Sequence, residues 1–263
     1  LEIVVDKSVI VIHIPSEEDL QPWLLIGYAG DMAPYSGINS SGLSMFTMVL
    51  TDQSWSYNTL AGYEPLKFMF RKALESADFN QDGVNNMLDI RDAISSNSLG
   101  YPWAWNFAAL APSTAVTDSM ISLVAEVAPE APYITFRDNS YEDLIPGDNL
   151  FAANRQIKRN NFHHYCSRYY AISNNIGDGT SIGSQENWDL MKNYANLNNN
   201  SQQFMQYIPE WNQLKLSVYQ NSQPAYTHDP IIYDVNEFFH LDIPIANFSS
   251  DTTVIIEGDT LYF

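Results

Sequence analysis

WLLIGYAGDMAPYSGINSSGLSMFTMVL, residues Trp23 to Leu50, holds two apolar runs, Trp23 to Tyr28 and Gly42 to Leu50, on either side of turn-forming residues at Gly30 to Pro34. Short apolar runs bounded by Gly and Pro are the pattern of strands that bury both faces. Upstream, Ile3 to Ile14 is rich in Val and Ile, is interrupted by Asp6-Lys7-Ser8 and ends at Pro15-Ser16, which predicts a β-hairpin. The N-terminal part therefore reads as a consecutive strand system.

Downstream the period changes. Leu66, Phe68, Met69, Phe70, Ala73 and Leu74 recur at near-helical spacing between Pro65 and Ser76, and Met87 to Ile94 does the same. Strand character returns at Trp105 to Ala111, Asp118 to Val127 and Tyr133 to Arg137, separated by turns that contain Pro. Asp148 to Ala153 reads as a short strand, followed by the polar, basic stretch Arg155 to Asn161. Asn187 to Tyr194 reads as a helix, and Leu214 to Tyr219 and Thr252 to Phe263 as strands. Strands and helices in alternating blocks predict an α+β domain of two stacked sheets with helices outside. No repeat and no linker interrupts it, so residues 1–263 are expected to form one domain, with a helix-loop-helix insertion at about 65–97.

Charge narrows the partners. Lys+Arg is 12 against Asp+Glu 31, a net charge of -19 that would repel phosphate backbones and anionic lipid, so neither nucleic acid nor a membrane surface is an expected partner. No stretch approaches the roughly 20 apolar residues of a membrane span. A single cysteine, Cys166, excludes a disulfide framework. Abundant Asn, Ser and Tyr with few Lys suggest an extracellular or periplasmic location, where the N-x-S/T sequons at Asn39, Asn199 and Asn247 could be acceptors.

Between the two helices, Asp78-Phe79-Asn80-Gln81-Asp82-Gly83-Val84-Asn85-Asn86-Met87-Leu88-Asp89 places oxygen-bearing side chains at loop positions 1, 3, 5, 9 and 12, with glycine at position 6. Ca2+ takes six to eight hard oxygen ligands at roughly 2.3–2.6 Å, and the glycine permits the turn that gathers them. The expected ligands are Asp78, Asn80, Asp82, the Val84 carbonyl, Asn86 and Asp89. The alternative reading is a turn rich in Asn and Asp that binds nothing. The loop is similar to that of dockerin repeats. However, only one loop is present and Asn85 stands where an aliphatic residue usually does, which argues for a structural ion rather than an adhesion module.

Four segments carry a second resemblance. Gly37-Ile38-Asn39-Ser40-Ser41-Gly42-Leu43 resembles the G-M-N-x-x-G-L signature of the penicillin acyltransferase and choloylglycine hydrolase group of N-terminal-nucleophile amidases. Asp148 to Asn154 (DNLFAAN) resembles that group's strand ending in T-N, with Ala153 in place of Thr. Tyr165-Cys166-Ser167-Arg168-Tyr169 is similar to its C-S-R-Y segment and is followed by Gly177-Asp178-Gly179-Thr180 and Asn187-Trp188. Leu214 to Phe239, ending in YDVNEFF, is similar to its last strands. The resemblance implies a four-layer αββα sandwich and hydrolysis or acyl transfer at a linear amide bond of a small molecule. It further implies Asn39 as an oxyanion donor, Asn154 as the residue positioning substrate or nucleophile, and Arg168 as the charge balancing the site. Read from the residues alone, Asn39 is equally a turn residue before a strand, and Arg168 equally half of a structural ion pair.

The group's nucleophile is expected upstream of Leu1, on a segment or companion peptide beginning with Cys, Ser or Thr, because Leu1 has no nucleophilic side chain. Cys166 beside His163 and His164 is a poor substitute, since nucleophile and base usually come from distant segments; a packed thiol is the default. His13, His228 and His240 read as structural. Trp103 and Trp105 read as core before acyl pocket. The competing account is a non-catalytic, calcium-stabilised exported binding protein that keeps the fold.

Overall fold

The computed structural model describes residues 8–29, 35–50, 62–97, 100–113, 120–159, 166–195 and 197–240. Seven strands, β1 (Ser8–His13), β2 (Trp23–Tyr28), β3 (Ser36–Asn39), β4 (Ser44–Val49), β5 (Trp105–Leu110), β6 (Ser122–Val127) and β7 (Ile134–Asp138), pair in sequence order as one antiparallel sheet. A second sheet of three antiparallel strands has the order β10-β9-β8, with β8 at Gln203–Ile208, β9 at Gln213–Val218 and β10 at Ile231–Asp234.

The period of two in the strands assigns each face of the large sheet to a different neighbour. Trp23, Leu25, Met45, Phe107, Ala109, Leu123, Ala125 and Val127 point to one side, where helices α1 (Leu66–Glu75) and α2 (Met87–Ser95) close a core over them. The buried residues of α1, Leu66, Met69, Phe70, Ala73 and Leu74, are spaced as a single helical stripe requires. Leu24, Ile26 and Ile38 point the other way, against Tyr207, Leu214 and Leu216 of the small sheet. The small sheet is covered in turn by α4 (Ser184–Tyr194), whose Trp188 packs on Phe204 with ring centroids 4.3 Å apart. Helix α3 (Ser167–Asn175) lies beside α4 over the core of Ile145, Ala153, Cys166 and Tyr169, and a short α5 (Val235–Phe239) follows β10. The layers run α1/α2, large sheet, small sheet, α3/α4, the four-layer αββα arrangement.

Several boundaries differ from the sequence reading. Strands β3, β8 and β10 have no clean alternation and are set by pairing. In β8, Gln206 occupies a covered position because its amide donates to Ser184 O and Asn187 Oδ1. The strand expected at Asp148 to Ala153 does not form; only an isolated bridge joins Ala153 and Arg155. Its carbonyls are taken by side chains of the large sheet: Phe151 O by Arg137 Nη2, and those of Ala153 and Arg155 by Asn106 Nδ2. The first strand of the expected N-terminal hairpin, before Ser8, and the strand expected at Thr252 to Phe263 lie outside the described residues.

Candidate active site

The G-x-N-x-x-G-L signature encodes the β3–β4 hairpin. A Cβ on Gly37 would lie 2.6 Å from Leu74 Cδ1 and 3.0 Å from Leu24 O, so a side chain there would displace the Leu74 side chain of α1. Asn39 Oδ1 accepts from Ser41 N at 3.1 Å and Leu43 N at 2.9 Å, and Nδ2 donates to Leu74 O at 3.1 Å. Gly42 closes the turn at φ +83, a left-handed conformation that favours glycine. Asn39 is fully buried, faces α1 and has both polar atoms engaged inside the hairpin and helix. That burial also removes it as a glycosylation acceptor.

Asn154 and Arg168 are brought together. Arg168 Nη1 donates to Asn154 Oδ1 at 2.9 Å, and Asn154 Nδ2 donates to Val49 O at 2.5 Å, at the last residue of β4. Asn39 is at the other end of this strand pair, where Ile38 pairs with Ser44, so the six residues of β4 separate it from Asn154 by roughly 17 Å. The structure therefore joins two of the three residues singled out by resemblance and holds the third apart.

The segment carrying Asn154 is fixed from below by polar residues on the inner face of β5, β6 and β7. Asn106, fully buried, bridges the carbonyls on either side of Asn154. Glu126, also fully buried, accepts from Ile157 N and Arg159 N at 2.7 Å each and from Arg137 Nε at 2.9 Å. Arg137 Nη1 reaches Asp143 Oδ2 at 3.0 Å. Sequence periodicity missed Asn106, Glu126 and Arg137 because they sit at apolar-looking strand positions; a charged residue inside each of two neighbouring strands was the available signal. From above, the segment is tied to α3 twice, by Arg168 to Asn154 and by Arg155 to the Tyr170 hydroxyl. Phe46, Met48, Ala108 and Leu110, on the inner face between the small sheet and this segment, are only half-buried.

Cys166 is a packed core thiol, 3% exposed, at the N-terminal cap of α3. His163 and His164, its suggested partners, lie outside the described residues. His13 stacks on Trp23 with centroids 4.3 Å apart and 7° between planes; burial, and then the nearby Arg71 charge, lower its pKa below the ordinary 6.5. Trp103 Nε1 donates to Leu50 O, and Trp105 packs against the helix-side core.

The loop from Asp78 to Asp89 folds around its own carboxylates. Asp78 accepts from Asp82 N and Gly83 N, and Asp82 Oδ1 accepts from Val84 N. Asp89 Oδ1 accepts from Phe79 N and Asn80 N, while Oδ2 accepts from Asn86 N and, with Asn86 Oδ1 on Leu88 N, caps α2. Asn85, the departure at position 8, is satisfied by Gln21 Nε2 and Ser76 O. Gln21 also accepts from Ser40 and Ser41, tying the loop to the β3–β4 turn. Among the described residues no three His, Cys, Asp or Glu side chains converge as a metal cluster. The oxygens keep further lone pairs and are hard donors, so the chemistry of the set fits calcium. Asp89, with no exposure, has its carboxyl pushed above the ordinary 3.8, chiefly by burial and to a smaller degree by the Asp78 charge.

No protein-family model and no curated protein sequence matches the chain. Solved structures share this four-layer fold. The N-acylethanolamine-hydrolyzing acid amidase ortholog of Caenorhabditis elegans superposes with a TM-score of 0.53 at 12% identity, over 88% of this chain and 89% of that one. Two variants of the conjugated bile acid hydrolase of Clostridium perfringens superpose with a TM-score of 0.50, at 14% and 12% identity, over 82% and 88% of this chain and 78% and 84% of theirs. At such identities the likeness is one of fold.

Proposed function

We propose that this chain is the body of an amide hydrolase or acyltransferase acting on a linear C–N bond of a small molecule, with the nucleophile supplied by a segment or companion peptide upstream of Leu1. The observation that supports it most is the hydrogen bond from Arg168 to Asn154 at the C-terminal end of β4. In such a reaction the nucleophile's sulfur or oxygen adds to the amide carbonyl, the C–N bond breaks, and the amine leaves with the proton taken from the nucleophile. Water then releases the acid, or a second amine accepts the acyl group. The second N–H of Asn154 Nδ2, the one not given to Val49 O, suits the oxyanion, and the Arg168 guanidinium fixes that amide and favours negative charge. Asn39, committed to the hairpin, is left as a positioning residue for α1. The half-buried floor of Phe46, Met48, Ala108 and Leu110 suits an apolar acyl chain.

The test uses protein isolated from its source. Intact mass and N-terminal sequencing would identify an accompanying Cys, Ser or Thr terminus, and N-acylethanolamines and conjugated bile acids would serve as probes. Turnover that falls about 10²–10³-fold in Asn154→Ala is expected. A preparation with no such terminus and no turnover would favour the non-catalytic exported binding protein.

We further propose a structural calcium ion held by Asp78, Asn80, Asp82, the Val84 carbonyl, Asn86 and Asp89, in keeping with an extracellular or periplasmic location. The fully buried Asp89 carboxylate supports it, since a divalent cation would offset a charge that meets N–H groups and the Asp78 carboxylate but, among the described residues, no cationic side chain. Calorimetric titration of chelator-treated protein should give saturable heat with calcium; no heat would sink the proposal.

A further inference from the structure

At the Asn39 end of the sandwich, away from Asn154, a cavity of about 480 Å³ opens between the β3–β4 turn and the turn joining β8 to β9. Trp211, in that second turn, is 65% exposed beside it. The ring stands on a rigid base. Asn212 adopts a left-handed backbone at φ 48, accepts from the Tyr207 hydroxyl at 2.5 Å and donates to Asn236 Oδ1 at 2.7 Å. Glu210 Oε1 accepts from Ser113 N at 3.1 Å, tying the turn to the segment that follows β5.

The lining determines the chemistry it can hold. Beside the one indole face stand the hydroxyls of Ser41 and Ser113, the amides of Asn212 and Asn236 and the Glu210 carboxylate, and among the described residues no Lys, Arg or His lines the cavity. An anion would meet Glu210 on a chain of net charge -19. An acyl chain would find apolar wall only in Trp211, Pro112 and Pro209, interleaved with the polar groups. A pyranose ring has what the cavity lacks: an apolar C–H face for the indole and equatorial hydroxyls that both donate to Glu210 and exchange hydrogen bonds with the amides. We propose that this cavity binds a neutral saccharide stacked on Trp211. The reading is independent of the amidase proposal, because it uses none of the residues at the Asn154 end.

The full chain would be titrated with cellotriose, maltotriose and N,N′-diacetylchitobiose, followed by calorimetry and ligand-observed NMR. At least one sugar should bind saturably. Trp211→Ala should weaken that binding roughly ten-fold or more, and Asn236→Ala by a smaller factor. Both side chains are exposed, so both variants should melt like the parent. Absence of saturable binding by all three sugars up to their solubility limits would overturn the proposal, and so would binding that persists undiminished in the properly folded Trp211→Ala variant.

Discussion

Glu126 and Asp89 are both carboxylates with no exposed surface, and each collects backbone N–H donors, three for Asp89 and two for Glu126. Only Glu126 also faces a cation, Arg137, itself shared with Asp143. No Lys, Arg or His among the described residues pairs with Asp89, whose carboxyl burial pushes upward. The difference teaches where each region finds its positive charge. The segment carrying Asn154 is pinned by a counterion encoded in the chain, on the neighbouring strand β7. The loop between α1 and α2 is completed, on our reading, by an ion from solution.

Removing the internal cation is expected to have the largest effect. Arg137→Met leaves Glu126 and Asp143 without their partner, and urea unfolding should show a loss of about 3–5 kcal/mol. A near-neutral result would mean that the N–H donors suffice for Glu126, and the contrast with Asp89 would collapse. Removing the external cation comes next. At calcium one hundred times its dissociation constant, the ion should stabilise the protein by about 2.7 kcal/mol over chelator, and Asp89→Ala should erase that difference. Equal melting of the parent in calcium and chelator would leave Asp89 a helix cap alone.

The third expectation concerns pH. Because burial raises the folded-state pKa of Asp89, its contribution in chelator is fully present below the ordinary 3.8 and is lost as pH rises through the folded value. Calcium, which binds the charged form, should flatten that part of the stability profile relative to chelator; parallel profiles would contradict the assignment. The smallest effect is a control at the surface. Arg71, about half-exposed, pairs with Glu75 at 2.6 Å along α1, where water can take the place of the guanidinium, and Arg71→Ala should change stability by no more than about 0.5 kcal/mol.

The apolar periods of the sequence determined much of this architecture. The helical stripe of α1, the strands β2, β4, β5 and β6, and the α+β class follow from spacing alone, because a chain burying one face of each element has few other ways to fold. Spacing also marked the loop from Asp78 to Asp89, and resemblance marked the segment around Asn39, both made of residues close in sequence. Only the tertiary structure decided the roles. Asn39 and Asn154 are both asparagines that resemblance placed in one site, and pairing set them at opposite ends of β4, one sealed against α1 and the other held by Arg168. Glu126 and Arg137 are 11 residues apart in sequence and meet because β6 and β7 align in register. The strand expected at Asp148 to Ala153 was lost to side-chain donors from β5 and β7, and β8 formed with glutamines in covered positions. The physical reason is common to all of these. Burial periodicity is local and is written in the order of residues, whereas the satisfaction of buried polar groups depends on partners that only the packed layers bring within reach.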